Sequence, residues 1–70
     1  MTLGEINSGE NCVIKEIKLE DEEIKTFLFS LGCYSGENIS VISQGKNSCI
    51  VMIKDARYNL DKNIANSILV

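Results

Sequence analysis

Histidine is absent from this 70-residue chain, and so is proline. Histidine is the side chain that most readily exchanges a proton near neutral pH, so the usual general acid or base is missing. A serine or cysteine nucleophile would lack its customary activating neighbour. No motif offers a lysine or carboxylate instead, and the chain reads as non-enzymatic. A phosphate-binding loop is also absent: Gly32 and Gly36 stand four apart with no Lys-Ser or Lys-Thr after them. Cysteine is scarce and scattered. Cys12, Cys33 and Cys49 lie far outside Cys-x-x-Cys spacing, and an odd number without close spacing is no disulfide framework. Each sits among apolar neighbours and reads as a small, reduced core hydrophobe, as in a cytosolic protein. With no histidine and no paired thiols, neither a metal site built by this chain alone nor a cofactor is expected, which leaves open a metal site shared with a partner. No apolar run approaches the roughly 18 residues of a membrane-spanning helix. Met1 is followed at once by polar and turn residues, so no signal peptide is read, and the expected location is cytoplasmic.

Net charge is −3, with a pI near 4.7. That sign disfavours a phosphate backbone and an anionic lipid surface, so neither nucleic acid nor direct membrane insertion is expected. A hydrophobic content of 44% beside 24% charged residues is that of a globular chain. One domain spanning 1–70 is expected, with a core too thin for a deep substrate cavity, because chains near this size bury only about 60% of their unfolded surface.

Residues 1–10 form a lead-in with Leu3 and Ile6 as apolar anchors and a turn at Gly9. Cys12 to Lys18 is β-rich, with Val13, Ile14 and Ile17 as its apolar members. The acidic run Glu20–Glu23 precedes Ile24, Phe27, Leu28 and Leu31, which share one helix face at i, i+3, i+4 and i+7. Asp21 is the expected N-cap, and the carboxylates suit the positive end of the helix dipole. The run could hold a hard cation weakly, but a solvated helix start explains it better. Gly32 supplies a left-handed stop. After a turn over Cys33–Gly36, Asn38–Ser43 alternates with Ile39 and Val41 on one face. Gly45 marks a hairpin turn. Cys49–Ile53 is apolar on both faces, as in a central strand or one at an interface, which leaves a homodimer open. A turn at Asp55–Ala56, a strand Arg57–Leu60, a helical turn from Asp61 through Ala65 and a strand Ser67–Val70 complete the chain. Short strands of this number suit a small barrel, with the helix plugging one end or packing on one side.

Two aromatics stand apart from this core. Two residues rotate Phe29 by about 200° from Phe27, which turns it outward, and Tyr34 follows in the turn at the same helix end. Exposed aromatics that cluster mark binding surfaces, so Phe29 and Tyr34 are the candidate partner-binding residues.

The pattern Leu3-x-x-Ile6-x-x-Gly9, then Leu28-x-x-Leu31-Gly32-x-x-x-Gly36, Ile39-x-Val41 and Leu60-x-x-x-x-Ala65-x-x-Ile68-x-Val70, resembles the FeoA family in order and over nearly the whole chain. The resemblance implies a mainly β fold, a small SH3-like barrel of about five strands with one α-helix after the first strand. It implies an accessory role in bacterial ferrous iron uptake, acting on the cytosolic part of the FeoB transporter and so peripheral at the inner face of the membrane. The same module ends the iron- and manganese-dependent repressors. With a start at Met1 and no DNA-binding region ahead of it, the stand-alone form is expected. The alternatives are a repressor-type regulatory domain, binding a Pro-rich or helical segment, and a direct metal-binding iron carrier. Leu28, Leu31, Gly32 and Gly36 are the structural motif: two core anchors and two turn-permitting glycines. The chain departs from the family where an arginine often precedes the helix leucine, here Phe27, and where a proline often precedes the second glycine, here Ser35. Any role tied to that arginine does not carry over.

Overall fold

Asp21 starts the main helix by accepting hydrogen bonds at its carboxylate from Glu23 N (3.0 Å) and Ile24 N (3.3 Å). Helix α1 then runs Glu22–Leu31, with Glu22 and Glu23 in its first turn. Gly32 ends it at φ 93°, a left-handed conformation that costs glycine least. The Gly32 and Cys33 amides donate to the carbonyls of Phe29 (3.0 Å) and Leu28 (2.9 Å) and satisfy the last turn. Leu28 is fully buried, with Ile24 and Leu31 packed partly buried against the core. The expected stripe is too wide: Phe27 is 54% exposed. With Leu28 at the line of deepest contact, its two neighbours in sequence fall about 100° to either side. Both phenylalanines therefore leave the core, and the residue standing at the family's arginine position is a surface one.

The structure, a computed structural model, describes all residues from Met1 to Val70. Its strands are β1 (Asn11–Val13), β2 (Glu16–Ile17), β3 (Asn38–Gln44), β4 (Ser48–Ile53), β5 (Ala56–Asp61) and β6 (Ile68–Leu69). They form a four-stranded sheet in the order β1-β3-β4-β5 and a two-stranded sheet of β2 and β6, antiparallel throughout. The β-rich segment Cys12–Lys18 is thus two strands, and the helix follows the second. Between them, the Ile14 amide turns to Glu37 O (2.9 Å) and the Lys15 amide to Leu69 O (2.7 Å), so the chain hands over from one sheet to the other. Ile14 is buried at this crossing, while Val13 points outward and is half exposed.

The β3–β4 hairpin turns at Gly45, whose amide donates to Ser48 O (2.8 Å). The β4–β5 turn is Lys54–Asp55 rather than Asp55–Ala56. Both residues take positive φ (48° and 66°), the handedness a two-residue hairpin loop requires, and Ala56 already belongs to β5. A second short helix, α2 (Lys62–Ala65), is capped by the Asp61 carboxylate, which accepts from Asn63 N at 2.8 Å. The last strand is shorter than Ser67–Val70.

Thirteen apolar residues make one buried cluster, among them Ile39 and Val41 of β3, Cys49, Val51 and Ile53 of β4, and Leu60 of β5. The lead-in joins it as a 3₁₀ turn, Leu3–Glu5, that buries Leu3 completely. Gln44 holds this turn in place, donating from Nε2 to the carbonyls of Leu3 (2.9 Å) and Ile6 (2.7 Å), while Lys62 Nζ donates to Gln44 Oε1 (2.6 Å).

Candidate partner-binding groove

The end of α1 and the turn after it place two aromatic rings together. Phe29 leaves the last turn of the helix and is 65% exposed. Tyr34, two residues past the Gly32 stop, brings its ring to 4.9 Å from that of Phe29, tilted by 36°. That geometry falls within the favourable range for offset aromatic pairs. On its other side Tyr34 meets Lys54, whose ammonium lies 5.9 Å from the ring centroid and 3.3 Å from the Glu37 carboxylate. The hydrogen bond and charge of Glu37 raise the Lys54 pKa, and Tyr34 adds to the effect. Gly32 makes this crossing possible, because a Cβ there would come within 2.7 Å of Lys54 Cε.

Beside the aromatic pair runs a groove of about 630 Å³, open to solvent along its length. Lys25 and Phe29 form its helix wall, Tyr34 and Ser35 its end, and Ile17 and Leu69 its strand wall, with Lys15 at the margin. Ser35, standing where the family often has proline, donates from Oγ to the Lys15 carbonyl (2.9 Å) and ties the turn to the link between β1 and β2. Gly36 follows at φ 90° and donates its amide to Ile14 O (2.8 Å). Cys33 also borders the groove but is fully buried, and burial pushes its thiol up to about 11. Cys12 and Cys49 are shifted up as well, again mainly by burial. A protonated thiol is a poor nucleophile and a poor ligand.

Helix geometry places Phe29 outward and Tyr34 at the same end. The ring contact, the groove and Lys54 carry no local signal in the sequence. Lys54 comes from the β4–β5 turn, and only the fold brings it there. No three histidine, cysteine, aspartate or glutamate side chains gather in a group that could hold a metal ion.

Several solved structures share this architecture. The FeoA of Stenotrophomonas maltophilia, complexed with zinc and described as a prokaryotic SH3 domain protein, matches with a TM-score of 0.87 at 23% identity, over 100% of this chain and 88% of that one. The FeoA protein of Chlorobium tepidum matches with a TM-score of 0.90 at 18% identity, over 99% of this chain and 67% of that one. A manganese-dependent transcriptional repressor matches with a TM-score of 0.87 at 18% identity, over 97% of this chain but only 39% of the repressor. At these identities the likeness is one of fold, and that fold is mainly β and SH3-like. No curated protein matches the sequence. The family model of the FeoA domain matches residues 1–70, so the chain belongs to the FeoA domain family, related to accessory proteins of ferrous iron transport and to repressor SH3-like domains.

Proposed function

We propose that this chain is a non-enzymatic adaptor of ferrous iron uptake, a single domain over 1–70 that docks on the cytosolic region of an FeoB-like transporter. The observation that carries the reading is the pairing of exposed Phe29 with half-buried Tyr34 at the mouth of an open groove. A chain without histidine, whose thiols are held protonated, has little to offer as a catalyst and acts instead by contact. Aromatic anchors dominate the energy of many protein interfaces. The FeoA of Stenotrophomonas maltophilia, described as a candidate ferrous iron transport activating factor, supports the transport setting. No helix is long and apolar enough to cross a membrane, and in this reading the domain reaches the membrane from the cytoplasm, through the transporter.

The double variant Phe29→Glu, Tyr34→Glu tests it. Both side chains lie outside the buried cluster, so circular dichroism should match the parent. Binding to the transporter's purified cytosolic region should be lost. A folded variant that binds with parental affinity would move the interface elsewhere, first to the outer face of β4 at Ile50 and Met52. The repressor-like fold match favours a second reading, a regulatory domain within a larger metal-responsive assembly. Capture of a DNA-binding partner, with no transporter, would select it.

A further inference from the structure

β5 is the last strand of its sheet: β4 pairs with one side, and no strand pairs with the other. The phase of the ladder says which groups are left over. Just beyond β5, the Lys62 amide donates to Asn47 O at 3.0 Å. In the alternating antiparallel pattern, Leu60, Tyr58 and Ala56 therefore bond to β4, opposite Cys49, Val51 and Ile53. The N–H and C=O groups of Arg57 and Asn59, and the N–H of Asp61, point away from the sheet. None of them figures among the turn, loop or side-chain hydrogen bonds that the fold makes outside its helices and strands. All three side chains are exposed.

Protein edges of this length are usually blunted by lysine, proline or a bulge. β5 has no lysine and no proline, and its register with β4 runs without a shift, unlike β3–β4, which is irregular between Val41 and Ser43. Its only charges are Arg57 and Asp61, of opposite sign and equally distant from Asn59.

We propose that β5 is a self-pairing edge, on which a second copy of this chain docks antiparallel about a two-fold axis through Asn59. In that register the outward groups of Asn59 face those of the partner subunit's Asn59. Arg57 then faces the partner subunit's Asp61, and Asp61 faces the partner subunit's Arg57. Cross-strand pairs of opposite charge stabilise a ladder and like pairs oppose it. No two-fold axis through a neighbouring residue forms these opposite-charge pairs. An axis through Arg57 or Asp61 sets like charges against each other. An axis through Tyr58 sets Asp61 against the partner subunit's Asp55. Self-complementarity about one residue is what an isologous contact demands, whereas a strand from an unrelated protein would need no such symmetry. The groove is built from α1, β2, β6 and the turn between them, so self-pairing on β5 and docking at Phe29–Tyr34 succeed or fail separately.

Sedimentation velocity from micromolar to near-millimolar protein is the test. The parent should dimerise reversibly and more weakly at high salt. Asn59→Pro should keep the fold, because its amide makes no bond to β4 and proline is tolerated at such edge positions. It should remain monomeric throughout. Arg57→Asp should weaken dimerisation about tenfold or more, and mixing it with Asp61→Arg should restore a heterodimer, since both charge pairs are then opposite again. Asp61 also caps α2, so circular dichroism must show Asp61→Arg folded, while Asn59→Pro does not depend on that variant. A parent that stays monomeric, or a folded Asn59→Pro that dimerises like the parent, overturns the proposal.

Discussion

Gly32 answers two demands at one position. Its φ of 93° ends α1, and its missing side chain leaves the space that Lys54 crosses to reach Tyr34 and Glu37. Gly36 has a similar φ of 90° but open space where a Cβ would stand. The pair separates backbone strain from crowding. Gly32→Val should lower stability by about 1–3 kcal/mol through strain, and it should also shift the Lys54 and Tyr34 resonances, because the lysine stem must move. Gly36→Ala should show strain alone and leave those resonances in place. Thermal melts with NMR spectra of both variants check this. At the next residue, Cys33, burial pushes the thiol from its ordinary 9.0 to about 11. Below the lower value both folded and unfolded chains hold the proton. Between the two, the unfolded chain releases it while the folded one retains it, so stability falls as pH rises through that window. Urea midpoints should decline from pH 9.0 to about 11 more steeply in the parent than in Cys33→Ala. Equal slopes would remove Cys33 as the cause.

At the scale of the element, α1 is legible because its start, stripe and stop are all local: Asp21 caps, Leu28 anchors and Gly32 terminates. Its stripe could not be trimmed from periodicity alone. A four-residue pattern admits Phe27, and only the angle at which the helix meets the sheets puts Leu28 at the centre and both phenylalanines on its flanks. Leu28→Ala should therefore cost about 2–5 kcal/mol, while Phe27→Ser, a change at a half-exposed site, should stay within about 0.5 kcal/mol of the parent. A large loss at Phe27 in chemical denaturation would return it to the core. The division of Cys12–Lys18 into two strands was illegible for a similar reason. No glycine or proline marks the break, which exists because Glu37 and Leu69 claim successive amides from different sheets. The candidate site divides the same way. Helix geometry places Phe29 and Tyr34 at one end, but the groove needs β2 and β6 brought beside α1, a long-range event.

At the scale of the whole molecule, the cysteines are spent mainly on the interior, and this bears on metal binding. Cys33 and Cys49 have no exposed surface, and Cys12 is half-buried with its thiol 3.7 Å from the Ile39 carbonyl. Soft metal binding needs thiolates, and burial disfavours the thiolate at all three positions. Exposing Cys33 or Cys49 to an ion would also mean opening the thirteen-residue cluster on which this small domain depends. The carboxylates of the α1 start are occupied differently: Asp21 caps the helix, and Glu22 and Glu23 stand in solvent. Hard-cation binding there would be weak and non-stoichiometric. The zinc in the Stenotrophomonas maltophilia structure makes direct titration the discriminating measurement. Calorimetry of the reduced protein with Fe²⁺ under anaerobic conditions, and with Zn²⁺, should show no stoichiometric submicromolar site, and a triple Cys→Ser variant should titrate like the parent. Tight one-to-one binding that disappears in that variant would mean that the core opens to make a site, and the chain would then be a metal carrier rather than an adaptor.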